Sequence, residues 1–377
     1  MRLLALVTDA YGGHGGIAKV NRDLFDALLG GDAFDQIEVV PRVVPEAEFA
    51  VPAGMVHHPE AGGGLGAFVQ TLGGVVAGGG YDGVFCGHLH LAPFAAAAAA
   101  RAGVPWLLLV HGTEAWGPPH WPATQGRLGT AAMTWAARRA TAFVSVSDVT
   151  RRRFAARVGL PIERGTVVPN SVDLSAFGPG PKRADLLDRY GLTGKTVLMT
   201  LARLSAAEQY KGVDEVMEAM PTLLGEIPDL AYLVCGSGDD RTRLEAKAEA
   251  LGLGDRVVFA GYVPEAEKAD YYRLGDAFVM PGRGEGFGIV YLEALACGVP
   301  VVASSADASR EAVRDGRLGE VVDPDDQASV REGIRDALAR PKGVPDGLEY
   351  FSQERFAERW RSVAREVFVR QPGRAHS

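Results

Sequence analysis

Short apolar runs alternate with helix-patterned segments along this chain, and the alternation breaks once and then restarts. The opening run "RLLALVT" is followed by the glycine-rich turn "GGHGG", and then by "IAKVNRDLFDALL" with Ile17, Val20, Leu24, Ala27 and Leu28 at helical spacing. "IEVVPRVV", "DGVFCG", an alanine-rich helix from about Pro93 to Ala102, "WLLLVHG", a helix around Thr130 to Arg139, and "AFVSVS" continue the pattern. Runs this short and this uniformly apolar belong to a parallel sheet covered on both faces. The pattern breaks at "TVVPNSVDLSAFGPGPKR", which reads as a linker near residues 170–185. "KTVLMTLARL", "AYLVCGSG", "RVVFAGYV", "AFVMPGRGEG" and "VPVVAS" then supply a second set of strands. The expected fold is α/β, with two doubly wound, Rossmann-like domains over residues 1–175 and 176–352. A final helix, about 353–377, carries Phe356, Trp360, Val363 and Val367 as one apolar stripe and is expected to cross back to the N-terminal domain.

Composition supports two cores and excludes several classes of function. The chain has 377 residues, 47% of them apolar, enough to fill both domains. Its net charge of -8 argues against a nucleic-acid partner. Cys86, Cys235 and Cys297 lie far apart and form no CxxC, so neither a disulfide framework nor a cysteine-based zinc site is expected. A reduced, cytoplasmic protein is the expectation. The start "MRLLALVTDAYGG" turns polar too soon for a signal peptide, and "LAPFAAAAAARAGVPWLLLV" is interrupted by Arg101, Gly103 and Pro105, so no membrane span is expected.

Two glutamates eight residues apart mark the most unusual stretch, "GEGFGIVYLEALACGVPVV". Glu285 precedes an apolar helix and Glu293 lies inside it, among Ile289, Val290, Leu292, Ala294, Leu295 and Ala296. Gly286 and Gly288 suit a helix start where backbone approaches something closely, while Gly298 and Pro300 mark the exit into a strand. A buried carboxylate is costly unless hydrogen-bonded or paired. The local sequence offers Glu293 no such partner, and a ligand could fill that role.

Other segments admit both a chemical and a plain structural reading. "GGHGGIA" nearly fits a dinucleotide loop through Gly13, Gly15 and Ala18, but the next strand lacks the terminal acid that would hold a ribose. What remains is a glycine loop able to approach an anion at a helix N-terminus, or a tight turn with no ligand. Arg203 and Lys211, in "ARLSAAEQYKG", combine a bidentate fork with a compact charge, which suits a diphosphate; two ordinary surface cations would look the same. His111 ends the strand of "LLLVHGTEAW", where open sheets bind ligands, although a lone histidine is commonly a structural hydrogen-bonder. His88 and His90 near Cys86 lack the additional ligands a metal needs. Arg138, Arg139 and Arg151 to Arg153 read either as solvated helix faces or as a surface for anionic lipid.

Taken together, the chain resembles the retaining glycosyltransferases of family 4, which have the GT-B fold. The resemblance runs nearly end to end through "GGHGGIAKVNRDL", "HGTEAW", "SVSDVTRRRF", "VVPNSVDLSAF", "LARLSAAEQYKG", "CGSGDDRTRLE", "VVFAGYV" and the E-x7-E stretch "GEGFGIVYLEALACGVPVVAS". It implies that Gly15 and Gly16 approach the donor diphosphate from one domain, while Arg203 and Lys211 hold it from the other. Glu285 would contact the transferred sugar with help from Gly286, Phe287, Gly288 and Ile289, and Glu293 would bind the nucleotide ribose. Val263, Glu265 and Lys268, from "GYVPEAEK", would contact the base, and His111 would position sugar or acceptor. The spacer between Arg203 and Lys211, which contains Tyr210, is longer than is usual in the family. The implied reaction is front-face transfer in which the leaving diphosphate accepts the acceptor's proton, with domain closure excluding water. No cofactor or metal is expected, since no DxD motif ends a strand. The implied partners are a nucleotide diphosphate sugar, with GDP-mannose favoured over UDP-glucose or UDP-N-acetylglucosamine, and a glycan, lipid-linked or small-molecule acceptor. Peripheral contact with an anionic membrane at its inner face would go with such an acceptor. A nucleotide-sugar epimerase or hydrolase of the same fold, or a non-catalytic sugar-nucleotide binder, are the alternatives.

Overall fold

The computed structural model describes residues 1–13, 15–45, 49–116 and 126–369. It divides into two units, one formed by Met1–Asn170 with the segment from Gln353 onward, the other by Ser171–Ser352. Each unit is built on one parallel sheet.

In the first unit the strands are β1 (Arg2–Val7), β2 (Gln36–Pro41), β3 (Met55–His57), β4 (Gly83–Cys86), β5 (Trp106–Val110), β6 (Ala142–Ser145) and β7 (Gly165–Val167). Their spatial order is β3-β2-β1-β4-β5-β6-β7, and every pairing is parallel. β2 ends at Pro41, earlier than "IEVVPRVV" suggested, although the Arg42 and Val43 amides still donate to the Val7 and Thr8 carbonyls. The helix Gly16–Leu29 buries Val20, Leu24, Phe25 and Leu28 and stops at Gly30. The alanine-rich helix spans Ala92–Ala102, and the helix read around Thr130 to Arg139 spans Gly126–Ala137. A helix at Leu65–Gly78 escapes the sequence pattern: it contains Gly66, Gly73, Gly74 and Gly78, which blur any apolar period.

The helix Gln353–Ala364 belongs to this first unit. Its Trp360 is buried and meets Phe85 of β4 edge-on, with ring centres 6.2 Å apart, and Arg361 Nε donates to the Ala27 carbonyl at 2.9 Å. The last residues read as part of that helix, 370–377, lie outside the described residues.

In the second unit the strands are β8 (Thr196–Leu201), β9 (Leu230–Cys235), β10 (Val257–Gly261), β11 (Ala277–Val279), β12 (Val301–Ser304) and β13 (Glu320–Val322). The order β10-β9-β8-β11-β12-β13 is again wholly parallel. Tyr232, Tyr272, Phe278 and Tyr291 are fully buried in it. Strand order reverses between β1 and β4 in the first sheet and between β8 and β11 in the second. Loops leaving neighbouring strands at such a point diverge to opposite faces and open a crevice at the carboxyl ends. The segments carrying Arg203 and Glu285 leave β8 and β11, so the fold of the second unit sets them at its crevice.

Candidate active site

Two loops of the second unit are tied together there. The one after β8 runs through short 3-10 turns at Ala206–Lys211, the one after β11 through Pro281–Gly288. Arg283 N–H donates to the Tyr210 carbonyl at 2.8 Å, and the Tyr210 ring lies against Gly284, where any Cβ would sit 2.5 Å from a ring carbon. Gly284 is therefore the residue that lets the loops meet, and the longer spacer before Lys211 is occupied by this Tyr210 contact.

The meeting brings Lys211 to Glu285. Their Nζ and Oε2 are 2.7 Å apart, with each side chain about one-fifth exposed, at 20% and 19%. Burial alone would lower the Lys211 ammonium, but the Glu285 carboxylate beside it, by charge and hydrogen bond, outweighs that and holds it above the usual lysine range. Arg203 pairs with Glu208 through both nitrogens of its fork edge and is held above its ordinary range by those hydrogen bonds. Its side chain is 71% exposed, so this pair is readily exchanged for another anion. A hollow beside the loop is lined by Arg203, Ser205, Glu208, Lys211, Asp214 and Asp240.

Glu293 sits within the helix Ile289–Ala296 and is 2% exposed. The partner that its own stretch of sequence does not provide comes from another helix of the unit. The Tyr272 hydroxyl donates to its Oε2 at 2.7 Å, and Lys268 Nζ lies 3.7 Å from Oε1. Both come from the helix Lys268–Leu274, four residues apart and so on one face. That i, i+4 spacing in "KADYY" was the signal the sequence offered for Tyr272. Burial and the Glu293 charge hold the Tyr272 phenol well above its ordinary range. Lys268 also pairs with Glu265 at 2.8 Å; burial opposes its charge, yet the two glutamates keep it raised.

The remaining residues of this group differ in what they present. Phe287 and Val263 are buried, and the Phe287 ring packs edge-on against Phe351 at 5.6 Å, so these two offer a ligand backbone rather than side chain. Gly286 is buried, and Ile289, half-buried, opens the helix. Gly288 has φ 90°, a conformation side chains resist, and caps that helix. The structure thus brings Arg203, Lys211, Glu285 and the Gly286–Ile289 turn together on one pair of loops, and sets Val263, Glu265, Lys268 and Glu293 around the helices behind them.

In the first unit, Gly15 caps the helix Gly16–Leu29, at the carboxyl side of β1. The turn before it is braced by Arg22, whose Nη1 donates to the carbonyls of Ala10 and Gly13 at 2.7 and 2.8 Å. His111 follows β5. Its Nε2 donates to the Gly87 carbonyl at 2.9 Å, a contact that puts a proton on Nε2 and makes Nδ1 the acceptor of the corresponding tautomer. Its backbone N–H donates to the Glu114 carboxylate. His88 lies near-parallel to His111 with ring centres 6.1 Å apart, and burial pushes it down to about 4, so it is neutral at ordinary pH. Among the described residues, no three His, Cys, Asp or Glu side chains are arranged to hold a metal.

Two parallel α/β units, each with chemistry-bearing loops at the switch point of its sheet, define the GT-B class of fold. Both units match family models of glycosyl transferases. The glycosyl transferases group 1 profile matches residues 190–357, and the glycosyl transferase 4-like domain profile matches residues 15–171. The chain is 40% identical over 205 residues to a GDP-mannose-dependent alpha-(1-6)-phosphatidylinositol monomannoside mannosyltransferase of Mycolicibacterium smegmatis, covering 52% of this chain and 53% of that one. It is 34% identical over 211 residues to a phosphatidyl-myo-inositol mannosyltransferase of Mycobacterium leprae, covering 55% and 53%. The chain thus spans about half the length of the curated relatives it matches. Among solved structures, Anabaena HepE in complex with UDP superposes with a TM-score of 0.69 at 20% identity, covering 98% of this chain and 96% of the other. A sucrose-phosphate synthase of Thermosynechococcus elongatus does so with 0.74 at 20%, covering 98% and 100%. These two likenesses establish the fold.

Proposed function

We propose that this protein is a retaining mannosyltransferase that moves mannose from GDP-mannose to a hydroxyl of a lipid-linked glycan or inositol-type acceptor. The Lys211–Glu285 ion pair at the switch point of the second sheet carries the reading: a cation for the leaving diphosphate and a carboxylate for the sugar hydroxyls stand on adjoining loops. The names of the mycobacterial relatives support the choice of GDP-mannose and of a phosphatidylinositol-based acceptor. In the ligand-free chain both cations are already paired, so donor binding exchanges carboxylates for phosphates. Lys211 and Arg203 then stabilise the charge that develops on the departing diphosphate, and His111 Nδ1 accepts a hydrogen bond from a hydroxyl of sugar or acceptor. Thermal-shift screening of GDP-mannose, UDP-glucose and UDP-N-acetylglucosamine tests the donor, with the largest rise expected for GDP-mannose. A rise for the uridine nucleotides alone would reject it.

Because protein cations serve the leaving group, we expect no metal cofactor: turnover should persist after exhaustive chelation with EDTA. Loss of turnover restored only by magnesium or manganese would refute this account.

A lipid-linked acceptor calls for contact with a membrane, and the arginine cluster does not act as five free charges. Arg151 and Arg152 both pair with Asp148, and Arg153 stacks over Trp116 at 4.1 Å. Arg139 instead lies over the exposed Trp135 ring at 3.8 Å, and Leu128, 88% exposed, stands two turns earlier on the same helix. No helix among the described residues is long and apolar enough to cross a membrane. We therefore assign peripheral docking to the Leu128–Trp135–Arg139 face, where apolar tips and a cation suit an anionic interface. The protein should co-sediment with anionic vesicles at low salt and less at high salt, and Leu128→Ala with Trp135→Ala should cut recovery at least fivefold. Equal recovery with neutral and anionic vesicles would return these residues to a solvated surface.

A further inference from the structure

Behind the Glu285 loop lies a carboxylate that the sequence reading passed over. Asp307 follows β12 in the turn "SSADAS" and is 1% exposed. Its Oδ2 accepts the backbone N–H of Glu285 at 2.8 Å, and its Oδ1 accepts both the N–H and the hydroxyl of Ser309 at 2.9 and 2.6 Å. The next residue closes the link, since Ala308 N–H donates to the Glu285 carbonyl at 3.0 Å. Both backbone polar groups of Glu285 are thus taken by two consecutive residues of another loop. Glu285 is on an irregular segment with no helix or strand to fix it, so this clamp is what sets the direction of its side chain toward Lys211.

We propose that Asp307 is a positioning residue for the transfer reaction, its carboxylate fixing the Glu285 backbone so that the Glu285 side chain meets Lys211 and the sugar end of the donor. The proposal rests on the assignment of Glu285 to the sugar. A buried carboxylate is expensive, and here it is received by N–H and O–H donors rather than a cation; burial pushes its carboxyl up to about 6. The charged and titratable groups that face it are Glu285, the Tyr291 phenol, and Lys211 beyond Glu285. As a carboxylate it offers acceptors on both oxygens. Once protonated, one oxygen becomes a donor, and a proton on Oδ2 sets the carboxyl against the Glu285 N–H.

Asparagine reproduces that protonated state at constant shape. Its single oxygen stays with the two Ser309 donors, and its amide NH2 then faces the Glu285 N–H donor to donor. In Asp307→Asn, hydrogen exchange in the ligand-free protein should accelerate at least tenfold in the segment 282–288 and remain parental elsewhere in the unit. Ser309→Ala, which keeps the Glu285 link, should leave that segment unchanged. GDP release from GDP-mannose, with vesicles containing phosphatidylinositol, should fall at least thirtyfold in kcat while the Kd for GDP stays within threefold. The parent's kcat should decline as pH falls through about 6, and Asp307→Asn should be flat across that range. Parental exchange and kcat in Asp307→Asn would overturn the proposal, and so would exchange accelerated throughout the unit, which would mark a general structural support. A parent that neither binds nor turns over GDP-mannose would reject the donor assignment, while the exchange measurement would still decide whether Asp307 holds Glu285.

Discussion

Glu285→Gln is expected to slow transfer by about 100-fold or more, roughly 2.7 kcal/mol of barrier, while free GDP binds at least as tightly as to the parent. The second half follows from the ion pair. Glu285 occupies the Lys211 ammonium at 2.7 Å in the ligand-free chain, and an amide gives up that charge, so Lys211 becomes freer to meet a phosphate. Loss of the sugar contact and release of the phosphate cation therefore act on different measurements. Glu293→Gln should show the reverse profile. Its carboxylate is buried between Tyr272 and Lys268, and removing the charge leaves Lys268 with Glu265 as its remaining acidic partner here and should reorient the groups around the proposed ribose contact. GDP affinity should then drop, and a 2'-deoxy analogue should lose less in this variant than in the parent, because the hydroxyl contact is already impaired. Calorimetry with GDP and its deoxy analogue, alongside turnover, checks both; identical profiles for the two variants, or loss of GDP binding in Glu285→Gln alone, would show the assignment to be wrong.

What could be read from the sequence was what local pattern determines. The apolar strands read off, from "RLLALVT" to "VPVVAS", needed no partner to be recognised, and each paired in parallel order. Their lengths were less legible: "AFVMPGRGEG" gives only Ala277–Val279 as strand, because the Met280 carbonyl is taken by the Tyr291 hydroxyl and Pro281 has no amide to continue the ladder. The Leu65–Gly78 helix was hidden by its glycines, whose helical state depends on tertiary packing rather than propensity. At the site, the two glutamates and two cations were visible as residue types. Their mutual pairing was not, since Lys211 and Glu285 are 74 positions apart and only the adjacency of β8 and β11 brings them together. Asp307 was hidden for the same reason: its partner is the backbone of a loop 22 residues away, which no side-chain pattern encodes.

Lys211→Ala should weaken GDP binding by about 1.5–3 kcal/mol, roughly 10- to 150-fold, the range for a charged hydrogen bond partly removed from water. Arg203→Ala should fall at the lower end of that range. The difference comes from exposure. Arg203 is 71% exposed and already paired with Glu208, so its contact with a phosphate replaces one well-screened ion pair by another. Lys211 is 20% exposed and is held charged by Glu285, so its contact is made in a less polar setting that salt reaches poorly. Raising ionic strength should therefore erode the Arg203 contribution first, and the Arg203→Ala protein should show a shallower salt dependence than the parent, while Lys211→Ala keeps the parental slope. Glu285 also couples to the result. In Lys211→Ala its carboxylate loses its ammonium and repels the incoming diphosphate, so adding Glu285→Gln should recover part of the lost affinity, an interaction of about 0.5–3 kcal/mol in a double-mutant cycle. Unchanged GDP affinity in both single variants would mean that neither cation holds the diphosphate, and strictly additive losses would mean that Lys211 and Glu285 do not share the site.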